Sequence, residues 1–174
     1  KTSSAASDVY KRQSLYKPYY SDNYITTKLA LEFDLAESFC QSQYGTNLAS
    51  VHNDNENTEV TNLCNQVTTS FCWLGLNDIN YERGSNISGW TWTDNAPYDD
   101  TIFHKWAARE PNAQGDEDCL QIDHHGAWND SRCHTLLNPI CNRFNPTTSP
   151  TFDPTTEPTT DPTTDPTNDP TTHP

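Results

Sequence analysis

Two short stretches of this sequence carry side-chain oxygens in a pattern suited to a hard cation. In Glu110-Pro111-Asn112 an acid and an amide flank a proline, so their side chains can point the same way. Trp128-Asn129-Asp130 brings a second amide and a second acid. Calcium takes roughly six to eight oxygens, supplied by carboxylates, amide carbonyls and water. Alone, Glu110-Pro111-Asn112 would be an ordinary solvated acidic loop. The second stretch makes a shared ion the better reading.

The composition leans the same way. The chain has 24 acids against 10 lysines and arginines, a formal net charge of −14. Such a chain is repelled by phosphate backbones and anionic lipid, so nucleic acid and membrane-surface partners are not expected. No run of apolar residues is long enough to cross a bilayer, so no membrane insertion is expected. The first residues also lack the apolar stretch of a secretory leader. No serine or cysteine is set beside a base, and we expect no enzyme.

The six cysteines are Cys40, Cys64, Cys72, Cys119, Cys133 and Cys141. An even number in a small, tryptophan-rich chain points to disulfides and an oxidising, secreted or extracellular setting. A zinc site is disfavoured because no Cys-x2-Cys pair occurs. Six cysteines allow about fifteen pairings, and the sequence alone does not choose among them.

The elements that must position these residues fall into three parts. Residues 1–13 are polar and irregular, and we read them as unstructured or artefactual. Residues 14–145 hold all the tryptophans and cysteines, and form the one folded domain. Residues 146–174 repeat proline every fourth position with threonine and acid between. A segment of that kind cannot bury a core, favours an extended shape and is expected to be disordered. It would span roughly 90 Å if extended. Dense threonine with proline also fits an O-glycosylated stalk, as well as a solvated end without a partner.

Within the domain, Tyr16 to Phe33 approach the alternation of strands. Asp34 with Glu37 resembles a capping box that opens a helix, with Leu35, Ala36, Phe39 and Cys40 on one face and Gly45 as the stop. Asn53 with Glu56 repeats the cap, and Val60, Leu63, Cys64 and Val67 have helical spacing. Phe71–Leu76 is a buried strand; Cys119–Asp123 and Pro139–Phe144 are two more. Asn77–Gln114 shows little periodicity, and a loop of that length is commonly functional. The class is α+β, with Trp73, Trp90 and Trp92 in the core and Trp106 anchoring the loop.

Five motifs then occur in order: Trp73-Leu74-Gly75-Leu76-Asn77-Asp78, Gly89-Trp90-Thr91-Trp92-Thr93-Asp94, Glu110-Pro111-Asn112, Glu117-Asp118-Cys119 and Trp128-Asn129-Asp130. From about Tyr16 to Phe144 the chain resembles a C-type lectin domain. The resemblance implies a double-looped α+β domain with two helices, short antiparallel sheets and termini that meet. It implies the bridges Cys40–Cys141 and Cys119–Cys133, which leaves Cys64–Cys72 as the third. It also implies a cis Glu110–Pro111 bond.

By the same resemblance, Glu110, Asn112, Glu117, Asn129 and Asp130 hold one calcium ion and read two vicinal sugar hydroxyls. The acid-then-amide order resembles the mannose-type pattern. It implies mannose, fucose, glucose or N-acetylglucosamine in preference to galactose, with glycans or glycoproteins as partners. A non-sugar binder on the same fold, of protein or of ice, is the alternative. Asp78, Glu82 and Asp118 match a second calcium site, although Ala113 stands where an acid is common. His124, His125 and Arg109 are expected to be surface residues. Asn86-Ile87-Ser88 is a glycosylation sequon on a loop; Asn129-Asp130-Ser131 is another, expected to stay unmodified beside the ion. Weak single sites gain from multivalency, so oligomerisation or tethering through the tail is expected.

Overall fold

The computed structural model describes residues 17–79, 89–112 and 115–144. The expectations for residues 1–13, Glu82, Asn86, Ala113 and the tail 146–174 lie outside them. The described chain runs β1 (Tyr19–Tyr20), β2 (Tyr24–Thr26), α1 (Phe33–Tyr44), α2 (Asp54–Val67), β3 (Cys72–Asn77), β4 (Thr91–Trp92), β5 (Cys119–Ile122), β6 (Trp128–Ser131) and β7 (Asn138–Asn142).

The strands form a sheet in the order β1-β2-β7-β3-β5-β6, with β4 paired to β3. The neighbours are antiparallel except β3 and β7, which run parallel. The sheet is therefore mixed and not purely antiparallel. Pairing of β2 with β7 brings the two ends of the domain together. All six residues of β3 are buried, which explains its unbroken apolar run. Gly75 lies in it because a Cβ there would sit 2.8 Å from the Leu48 carbonyl oxygen and 2.8 Å from Thr93 Oγ1.

Helix α1 departs from the expected capping box. It begins at Phe33 behind Glu32, with no side-chain cap. Glu37 is used elsewhere: its carboxylate accepts from the Leu48 amide at 2.8 Å and from Asn47 Nδ2 at 2.6 Å. The buried face also differs from the expected one. Phe33, Ala36 and Cys40 are buried, while Leu35 is 56% exposed. Gly45 ends the helix at φ 70°, donating to Cys40 and Gln41 carbonyls. Helix α2 follows its expected cap, with Asn53 accepting from the Glu56 amide at 3.0 Å.

Three disulfides close the domain: Cys40–Cys141, Cys64–Cys72 and Cys119–Cys133. Trp73, Trp90 and Trp92 are buried. Trp128 is fully buried and meets Trp92, Trp106 and Phe103 edge to face, at centroid distances of 6.0, 5.9 and 5.8 Å. This cluster holds the described residues 89–112 between β3 and β5, which are less irregular than their sequence suggests. They include β4, and their Lys105–Ala107 stretch lies along β6.

Candidate cation site

Strand β6 is held from three directions. On one side it pairs with β5, with Asn129 opposite Gln121 and Asp130 opposite Leu120. On the other, the Trp128 amide donates to the Lys105 carbonyl at 2.8 Å, and the Ala107 amide donates to the Trp128 carbonyl at 2.9 Å. From below, Trp128 Nε1 donates to Asn57 Oδ1 of α2 at 2.8 Å, and Asn57 Nδ2 donates to the Gly126 carbonyl at 2.9 Å. Asn57 lies on the buried face of α2 with Val60, Leu63 and Cys64. A polar residue on that apolar face was the one sequence signal for this lock.

From Ala107 the chain turns toward the strand's far end. The Glu110 amide donates to the Ala107 carbonyl at 3.0 Å, Arg109 adopts φ 76°, and Glu110–Pro111 is cis. Asn112 Nδ2 donates to Glu110 Oε2 at 2.6 Å. The Glu110 carboxyl also faces Asp130, which is 5% exposed. Burial, and then the hydrogen bond shared with Asp130, push Glu110 up to about 7, while the Asn112 bond opposes them.

Asp130 also looks toward a second pair of acids. The Asp78 amide donates to the Asp118 carbonyl at 3.0 Å. Burial raises the Asp78 carboxyl to about 6, with the charges of Asp118 and Asp130 adding to the shift. Asp78 Oδ1 is buried without a hydrogen-bond partner. Asp130 thus acts on both Glu110 and Asp78.

Glu117, two residues before β5, and Asn129, within β6, are half-buried. Among the described residues, no three acidic, imidazole or thiolate side chains are gathered into a group that could hold a metal ion by themselves. The donor chemistry nevertheless fits calcium. Glu110 and Asp78 carboxyls raised by burial and by facing acids, an adjacent amide and an orphaned carboxylate oxygen are what a hard cation neutralises. His124 and His125 are exposed in the β5–β6 turn, with ring centroids 3.7 Å apart. Arg109 is exposed as well.

The sequence matches the family model for the lectin C-type domain over residues 30–143. Among curated proteins, C-type lectin domain family 4 member M of Hylobates lar is 38% identical over 73 residues, 42% of this chain and 17% of that protein. E-selectin of Canis lupus familiaris is 30% identical over 133 residues, 73% of this chain and 20% of that protein. The chain thus spans a fifth or less of these relatives' length. Among solved structures, the cow CD23 carbohydrate-recognition domain superposes with a TM-score of 0.60 at 26% identity, covering 74% of this chain and 92% of that one. A calcium-dependent type II antifreeze protein in its calcium-free form gives 0.58 at 25% identity, over 74% and 97%. With the family model matching residues 30–143, well over half of the sequence, this chain belongs to the C-type lectin domain family.

Proposed function

We propose that this domain binds carbohydrate through calcium, with a preference for mannose, fucose and N-acetylglucosamine. The observation that carries the reading is the Glu110–Asp130 carboxyl pair with Asn112 bonded beside it. Calcium, when bound there, neutralises these carboxylates and offers coordination to sugar hydroxyls. Glu110, Asn112, Glu117, Asn129 and Asp130 are the assigned holders. The carboxylates accept hydrogen bonds from two vicinal hydroxyls and the amides of Asn112 and Asn129 donate to them. Asp78 and Asp118, with Glu82, are assigned to a second ion. The oligosaccharide named for the cow CD23 structure supports a sugar ligand.

In this reading the chain is a binding module and not an enzyme, and it works outside the cell on glycans or glycoproteins, as its three disulfides favour. The antifreeze proteins among the superposed structures favour one second reading, ice binding on the same fold.

A glycan array run with and without calcium separates these readings. Calcium-dependent signal on mannose-type glycans, with elution from mannose resin by chelator, is expected. Retention unchanged by chelator would sink the proposal, and activity in an ice-recrystallisation assay without glycan binding would favour the alternative.

A further inference from the structure

The chain from Ala107 to Glu110 makes a four-residue turn, closed by the Glu110 amide donating to the Ala107 carbonyl at 3.0 Å. Its third residue is Arg109, at φ 76°. A turn of this kind needs positive φ at its third position, which glycine adopts freely and a residue with a Cβ does not. Asn95, at φ 63°, is the other non-glycine residue of this kind among the described residues, and asparagine tolerates the region better than most. Arginine has no such tolerance, and backbone strain of this sort collects at ligand sites.

The fold makes no use of the Arg109 charge. Among the described residues, Lys105 pairs with Asp54, and Arg132 lies 3.3 Å from Asp116. Arg143 donates to the Ser21 and Asp22 carbonyls at 3.0 and 3.3 Å. Arg109 is exposed, and no acid among the described residues is within ion-pair distance of it. In a chain with 24 acids against 10 lysines and arginines, it is not for want of acids that this guanidinium stands alone.

Its place in the chain is beside the candidate cation site. Glu110 follows it directly, with the two Cα atoms about 3.8 Å apart across the peptide between them. Glu110 in turn bonds Asn112 and faces Asp130. A sugar held through two vicinal ring hydroxyls keeps its other substituents free to meet the side chains that border the ion. A guanidinium offers a planar fork of N–H groups that matches two oxygens of a carboxylate or a sulfate at once. The acidic surface at large repels such groups.

We propose that Arg109 is a specificity-determining residue of this site, selecting sugars that carry an anionic substituent over their uncharged counterparts. The inference rests on the calcium-and-sugar reading above. A sulfate ester or a carboxylate at the exocyclic carbon suits it, because the vicinal ring hydroxyls stay free for the ion.

The test uses the full chain with calcium, titrated with methyl mannoside, its 6-sulfate and the corresponding methyl mannuronoside. The Arg109 Nε–Hε resonance is followed by NMR alongside the affinities. At least one charged sugar should bind about fivefold or more tightly than the uncharged one. It should also shift the Nε–Hε resonance, which the uncharged sugar should leave in place. Whichever of the two charged sugars binds more tightly identifies the substituent. Arg109→Gly, which suits the turn better than arginine, should bring the ratio of charged to uncharged affinity down to about one or below. Arg109→Lys, a cation without the fork, should keep only part of the ratio. In chelator, with no sugar present, Arg109→Gly should raise the melting temperature. A fall would show that the fold does hold the guanidinium, and overturns the proposal. A ratio of one in the unaltered chain, or a ratio unchanged in Arg109→Gly, overturns it too and leaves sugar binding standing. No calcium-dependent binding of any of the three sugars overturns the calcium-and-sugar reading, and this inference with it.

Discussion

At the scale of single residues, Glu110 is the most informative side chain. Its ordinary pKa of 4.5 rises to about 7, because it is partly buried and faces Asp130. A carboxyl raised in this way binds its proton more tightly folded than unfolded. Its contribution is thus most favourable below the unfolded pKa, and is lost as pH climbs from about 4.5 through about 7. Asp78, raised from 3.8 to about 6, acts in the same sense over a lower window. In metal-free protein, Glu110→Gln should therefore raise the melting temperature at pH 8 and leave it nearly unchanged at pH 4.5. An equal difference at both values would count against the carboxyl pair. With calcium the order should invert, since the glutamine variant cannot supply the charge. Calcium uptake by the parent at pH 6.5 should also release protons, which calorimetry in buffers of different ionisation enthalpy detects.

At the scale of elements, β6 depends on α2 through one residue. Asn57 accepts from Trp128 Nε1 and donates to the Gly126 carbonyl, both in buried surroundings. Gly126 has φ 88°, and a Cβ there would lie 2.9 Å from both Asn57 Nδ2 and Thr61 Oγ1. The close approach and the backbone conformation both require glycine. Asn57→Ala would strand two buried polar groups and should cost about 1–3 kcal/mol in urea unfolding. Calcium affinity should weaken alongside, because Asn129 and Asp130 follow Trp128 directly. Unchanged stability in this variant would show that water replaces the amide without loss. Elements were partly legible in the sequence. The cap and spacing of α2 and the apolar run of β3 announced themselves locally. The start of α1 did not, because Glu37 accepts from Leu48 and Asn47 across the fold, and from Gln41 one turn on, rather than capping the helix start.

At the scale of the whole molecule, the bridges and the β2–β7 pairing tie the ends of the domain together. Cys40–Cys141 spans 101 residues, against 8 for Cys64–Cys72. In the chain-entropy view, the long bridge restricts the unfolded chain more, by about 2 kcal/mol. Replacing Cys40 and Cys141 together by alanine should lower the guanidinium midpoint clearly further than replacing Cys64 and Cys72. Similar losses would point to native contacts, and not loop closure, as the source of the stabilisation. The long segment between β3 and β5 relies on this frame, since Trp106 and Phe103 reach the core only where Trp128 waits for them.

The sequence by itself determined the class of domain, the two helices and the central strand, and it supplied the candidate oxygen donors. Those features are written in short-range periodicity and in motifs whose residues are close in the chain. It could not decide which cysteines pair, because a bridge depends on distance in space between residues far apart. Nor could it show that Asp130 faces Glu110, that Lys105–Ala107 runs along β6, or that Asn57 locks Trp128. Each is a contact across many residues, made only when the sheet and the tryptophan cluster close. The raised Glu110 and Asp78 pKa values follow from the same closure, since burial and facing charges exist only in the folded chain.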